Sequence, residues 1–239
     1  MNRFAKYCLI GLALVCFSPY TPAQTPTREA MRQEMADLQT KLRSLEDAYL
    51  QPSEEDKKLY AAFLQQSGTG LIRLLPREVV DKKGAELRGG GAYYSFTRLT
   101  HEYGYGSDIS LEQEQFHVGF AGANYGLLLT LGKTPLEAVT VESGVAAFLA
   151  GYPTPSTEPE ARIEQRKASA GFTDDEGRLY KNRVPAEVGK TYLLRSVDYG
   201  DSDVLAVFQT IRKDLDGSFT LIWKLLKTYP KPDLKRSDK

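Results

Sequence analysis

TYLLRSVDYGDSDVLAVFQTIRKDLDGSFTLIWKLLKTY, residues 191–229, decides the fold. Three runs rich in aliphatic and aromatic side chains, Thr191 to Val197, Val204 to Arg212 and Phe219 to Tyr229, alternate with DYGDSD at Asp198 to Asp203 and DLDG at Asp214 to Gly217. Aspartate and glycine in such short gaps supply the positive φ that tight hairpins need, so the stretch predicts a three-stranded β-meander. The single tryptophan, Trp223, falls in the last of these strands, where packing is its natural use.

The same alternation appears upstream. Leu71 to Leu75, Ala92 to Leu99, Gln115 to Ala121 and Tyr125 to Leu131 read as further strands, punctuated by glycine. Phe116, Val118 and Phe120 alternate with Gln115, His117 and Gly119, giving one buried and one more polar face. GYPTPSTEP at 151–159 is a stiff connector, a short charged helix from Glu160 to Ala168 follows it, and DDEG at 174–177 supplies another turn. Each β segment alone would expose an apolar face, so both are expected in one sheet system with helices over one side.

Those helices lie N-terminal. Thr25 to Gln51 predicts one long helix stopped by Pro52, with apolar residues Met31, Met35, Leu38, Leu42, Leu45 and Tyr49 spaced four and three in strict alternation. That is a heptad seam, flanked by Arg32, Gln39 and Glu46 on one side and Glu34 and Lys41 on the other. The seam either packs within the chain, across its own domain or as a helical hairpin, or pairs with a second copy as a short coiled coil. Ser53 caps a second helix whose first turn is acidic (Glu54, Glu55, Asp56) and whose apolar face is Leu59, Tyr60, Phe63 and Leu64. The expected fold is therefore α+β: a helix or helical hairpin over residues 25–66, then an antiparallel, strongly twisted β domain over 67–229 ending in the meander. Residues 230–239 form a flexible charged tail.

Residues 1–24 read as a signal peptide: Arg3 and Lys6, the apolar run Cys8 to Phe17, then a polar stretch with Ala23 at a suitable cleavage position. A lipoprotein signal is disfavoured because Val15 precedes Cys16 where a small residue belongs. Both cysteines leave with this segment, so neither a disulfide nor a thiol ligand is expected in the mature chain. Removing Arg3 and Lys6 from 31 basic residues leaves 29 against 31 acidic ones, no field for nucleic acid. No later stretch is long and apolar enough to span a bilayer. A periplasmic or secreted location follows.

Chemistry-bearing residues concentrate between Arg88 and Gly126, which hold both histidines and much glycine and tyrosine. Tyr93, Tyr94, Tyr103 and Tyr105 suit a ligand surface for a glycan or peptide; alternatively the glycines mark bends in a curved sheet with the tyrosines half buried. If Ala92 to His101 is one strand paired with Gln115 to Ala121, His101 falls near His117, and with Asp108 they make a candidate catalytic or metal-ligating group. Asp198, Asp201 and Asp203, or Asp214 and Asp216 with Gly217, suggest calcium but lack the spacing of a full loop. Gly132-Lys133-Thr134 has Leu127 where a phosphate loop needs glycine, and no GxSxG elbow is present. No cofactor is called for. The functional expectation is a non-enzymatic binding or assembly module of the cell envelope; the alternative is an exported hydrolase or metal-dependent enzyme centred on His101, His117 and Asp108.

Overall fold

The structure, a computed structural model, describes residues 27–79, 91–101 and 106–235. The signal segment, Tyr103, Tyr105 and the last four residues lie outside the described residues. The chain divides into two compact units, one ending at Arg43 and the other beginning at Ser44, the division falling inside the first helix.

That helix, α1, runs Arg28–Leu50, with Thr27 Oγ1 accepting from the Ala30 N–H at 3.2 Å and Glu29 in its first turn. Its heptad side chains are exposed, from 39 % at Met31 to 60 % at Leu45. Ser53 caps α2 (Glu54–Leu59), accepting from the Asp56 N–H at 3.1 Å, and α3 (Ala61–Leu64) follows after a break at Tyr60.

The α+β class holds. Beyond α3 the second unit contains eleven strands among its described residues, β1 Thr69–Leu74, β2 Tyr93–Tyr94, β3 Ile109–Glu112, β4 Gln115–His117, β5 Tyr125–Gly132, β6 Phe172–Thr173, β7 Leu179–Tyr180, β8 Arg183–Pro185, β9 Thr191–Asp198, β10 Ser202–Lys213 and β11 Phe219–Thr228. The five-stranded antiparallel sheet has the order β1-β11-β10-β9-β5, the four-stranded one β2-β3-β4-β8, and β6 and β7 form a small ribbon. The meander β9-β10-β11 is thus the centre of the large sheet, extended at one edge by β1 and at the other by β5. Helices α4 (Gly144–Ala150) and α5 (Glu158–Ala170) lie between β5 and β6 in the chain.

All eight residues of β9 are buried, because this strand has cover on both faces. Tyr192 and Leu194 join Ala206, Phe208, Phe219 and Leu221 in a core shared with Ile109, Leu111, Phe116 and Val184 of the small sheet. Leu193 and Val197 point the other way, into a second core with Leu205, Val207 and Ile222 under Ala146 and Leu149 of α4 and Ala168 of α5. The period-two alternation of the central strands therefore feeds two cores. Trp223 lies in the inter-sheet core, its ring over Gly70, where an added Cβ would come within 2.5 Å of it.

Two expectations are corrected. Ala92 to Leu99 is not one strand: Tyr93–Tyr94 pairs with β3, and the chain then turns, closed by a bridge between Ser95 and Thr100, with Leu99 at φ 56°. A buried carboxylate drives this turn, since Asp108 Oδ2 accepts from the Phe96 N–H at 2.7 Å. Nor does Gln115 to Ala121 continue as a strand past His117; it pairs with β3, absent from the sequence reading, across a hairpin at Gln113 (φ 50°) and Glu114 (φ 55°). These two residues hold the left-handed conformation without the asparagine and glycine that ordinarily announce it.

Candidate functional site

His101, at the end of the Ser95–Thr100 turn, is used locally. Its Nε2 lies 2.9 Å from the carbonyl of Arg73. A carbonyl only accepts, so Nε2 carries the proton, and the ring packs edge-on against Tyr94 with centroids 5.1 Å apart. His117 sits instead in β4, opposite Ser110 on one side and Arg183 on the other. Burial holds both imidazoles below their ordinary pKa, opposed at His101 by the Arg73 carbonyl and at His117 by Glu112. The shared-strand parity that would have joined the two histidines is lost with the turn. Among the described residues no group of three or more His, Cys, Asp or Glu side chains is disposed to hold a metal ion. Tyr93 and Tyr94 are only 5 % and 6 % exposed, and their rings pack against Phe120 and against Phe96 and His101, so they form core and not ligand surface.

The third candidate, Asp108, is 0 % exposed and belongs to a different constellation. It precedes β3 at one end of the inter-sheet core, where β9 contributes Ser196 and Asp198 from the opposing sheet. Ser196 and Asp198 lie on one face of β9 because they are two residues apart; Ser202, the cross-strand partner of Asp198, lies on that face too. Gly126, opposite Ser196 on β5, leaves the space: a Cβ there would stand 2.1 Å from Val118. Asp198 Oδ1 accepts from Asn124 Nδ2 at 2.6 Å, and Asp201 Oδ1 from Arg98 Nη2 at 2.7 Å. Gly106, at φ 92°, faces Asp201, whose Oδ2 would be 1.9 Å from any Cβ placed there.

Asp201 Oδ2 and Ser202 Oγ are buried without a hydrogen-bond partner, and Ser196 Oγ lies between the Asp108 and Asp198 carboxyls and acts on both. Three carboxylates therefore lie close together, Asp108 and Asp198 buried and Asp201 half-buried and paired with Arg98. Burial is the main reason that the Asp108 carboxyl is raised to about 7; nearby Asp201 adds to it, against the Phe96 N–H and the serine hydroxyls. Asp198 is raised to about 8, first by burial, then by the charges of Asp108 and Asp201. Asp198 is therefore mostly protonated at neutral pH and Asp108 about half so. Through Asp108 and Asp198, the buried members of the cluster, proton binding is linked to the packing of one sheet on the other.

On the opposite face of β9, Arg195 is 2 % exposed and fully matched. Nε and Nη2 donate to Asp203 at 2.5 and 2.8 Å, Nη1 donates to the Leu149 carbonyl of α4 at 2.8 Å, and the guanidinium lies 3.4 Å from the Tyr229 ring centroid. Asp203, one of the residues read as a calcium ligand, is thus consumed by an ion pair, and Asp214 and Asp216 pair with Arg212 and Arg73. The buried polar groups had one sequence signal: Arg195, Ser196 and Asp198 interrupt a strand otherwise built for the core.

No protein-family model matches this chain, and no curated protein or solved structure is significantly similar to it.

Proposed function

We propose that this protein is an exported, non-enzymatic assembly module of the cell envelope, self-associating through the seam of α1. The carrying observation is the exposure of all six seam residues, Met31, Met35, Leu38, Leu42, Leu45 and Tyr49, along a 23-residue helix. A stripe so narrow suits a helix partner better than a broad core, and alone it leaves apolar surface in water. The occupant is a second copy. In an antiparallel pair that sets Leu38 against Leu42, Arg32 comes level with Glu46, twice by the two-fold axis; in a parallel pair Lys41 comes level with Glu46 instead. The apolar run Cys8 to Phe17, with its basic start, supports export to the periplasm or beyond.

Sedimentation equilibrium tests this on the chain beginning at Thr25. Leu50 is buried in the second unit, so point variants are preferable to truncation. The wild-type chain is expected to sediment as a dimer and the Leu38→Glu/Leu42→Glu variant as a monomer with unchanged near-ultraviolet circular dichroism. A wild-type monomer at high micromolar concentration would overturn the proposal.

A further inference from the structure

We propose that the cleft between β5 and residues 178–185 binds an extended acidic peptide, a role separate from assembly through α1. The cleft encloses about 660 Å³ and is lined by Arg178, Lys181 and Arg183, with no carboxylate in its wall among the described residues. Arg178 is already engaged by Asp174 at 2.6 Å and by Glu176 at 3.0 Å. Lys181 and Arg183 form no ion pair among the described residues, so two cations face the cleft without counter-charge.

The backbone supplies the second element. β5 is the edge of the large sheet, and its outer side is paired at a single place, where Leu128 exchanges bonds of 2.6 and 3.1 Å with Lys181. Backbone groups in a strand alternate sides, so the Thr130 N–H and C=O face the same way as those of Leu128. There the opposing chain has left to form another ribbon, with Leu179 paired to Thr173, and exposed Thr130 has no backbone partner on that side among the described residues. Leu179 is 51 % exposed beside it.

An unpaired strand edge, an apolar side chain and two cations two residues apart define the ligand. A peptide added as a strand bonds Thr130 through its backbone, sets carboxylates at i and i+2 against Lys181 and Arg183, and turns its intervening side chain toward Leu179. Alternate residues of a strand point to one side, so carboxylates at i and i+2 face the same wall of the cleft, which both Lys181 and Arg183 line. The edge pairing favours a peptide over a glycan, which offers no matching backbone donor and acceptor.

The test is fluorescence anisotropy of a labelled Ser-Glu-Leu-Glu-Ser peptide with the full mature chain. Saturable binding is expected, weakening with salt and by about tenfold or more in Lys181→Glu and Arg183→Glu, as loss of a charge-assisted bond requires. Lys231→Glu, an exposed charge change elsewhere, should bind as wild type, as should the Leu38→Glu/Leu42→Glu variant. Trp223 fluorescence checks that each variant is folded. No saturable binding, or binding indifferent to the two reversals, overturns the proposal. So does saturable binding of polygalacturonate, abolished by those reversals, where the peptide does not bind.

Discussion

Raising the pH from about 5 to about 9 should weaken this fold, because its buried carboxyl cluster holds protons that the unfolded chain gives up. The sign follows from Asp108, whose carboxyl moves from 3.8 to about 7 on folding. Between those values the folded chain binds more protons than the unfolded one, so stability is highest below pH 4 as far as this group is concerned. It declines as pH rises and is lost once the folded carboxyl ionises. Between pH 5 and the folded value, about two pH units at about 1.4 kcal/mol each give a loss on the order of 3 kcal/mol. Asp198, raised to about 8, pushes in the same direction and extends the window upward. Against a total stability of about 5–15 kcal/mol for a domain, such a loss is easily measured. Urea melts followed by Trp223, the single tryptophan and a buried one, give the profile directly. Asp108→Asn is the decisive variant: its amide oxygen can still accept from the Phe96 N–H, but it has no proton to lose, which leaves Asp198 as the raised carboxyl of the pair. It should make the decline shallower and exceed the wild type at the alkaline end. A wild-type profile that is level across the range, or an Asp108→Asn profile with the wild-type slope, would refute the reasoning.

Two further outcomes can be measured by the same melts. Asp203→Ala should cost about 3–5 kcal/mol by stranding the buried Arg195, whereas Arg195→Met with Asp203→Leu should recover most of that loss. Replacing Gln113-Glu114 by Asn-Gly should stabilise by about 0.5–1 kcal/mol, since these residues hold positive φ at a cost the new pair avoids; a loss of stability would mean that the Glu114–Lys213 ion pair at 2.7 Å outweighs the turn.

The parts of the fold legible in the sequence were those whose signals are local. The meander strands were read within a residue or two at most ends, because aspartate and glycine mark their turns, and Ser53 announced its helix through a capping hydroxyl and three acids. The hairpin at Gln113-Glu114 was hidden because ordinary residues occupy its left-handed positions. The turn after Tyr94 was hidden for a different reason: the group that organises it, Asp108, lies twelve residues beyond Phe96. With that turn went the geometry that placed His101 beside His117. The carboxyl cluster was least legible. Asp108 was singled out for proximity to histidines, while its true companions, Ser196 and Asp198, come from the other sheet and no local pattern joins them.

Strand β9 carries Arg195 toward the helices and Ser196 with Asp198 toward the small sheet, so adjacent residues hold opposite electrical requirements on opposite faces. A slip of one position would drive the guanidinium through to the acid side and leave Asp203 facing a hydroxyl. A slip of two would preserve the apolar alternation yet strand Asp203 without its arginine. Hydrophobic patterning alone forbids only odd displacements. The charges forbid the even ones as well, so this strand works as a key with a single seating, and the rest of the large sheet is aligned by it.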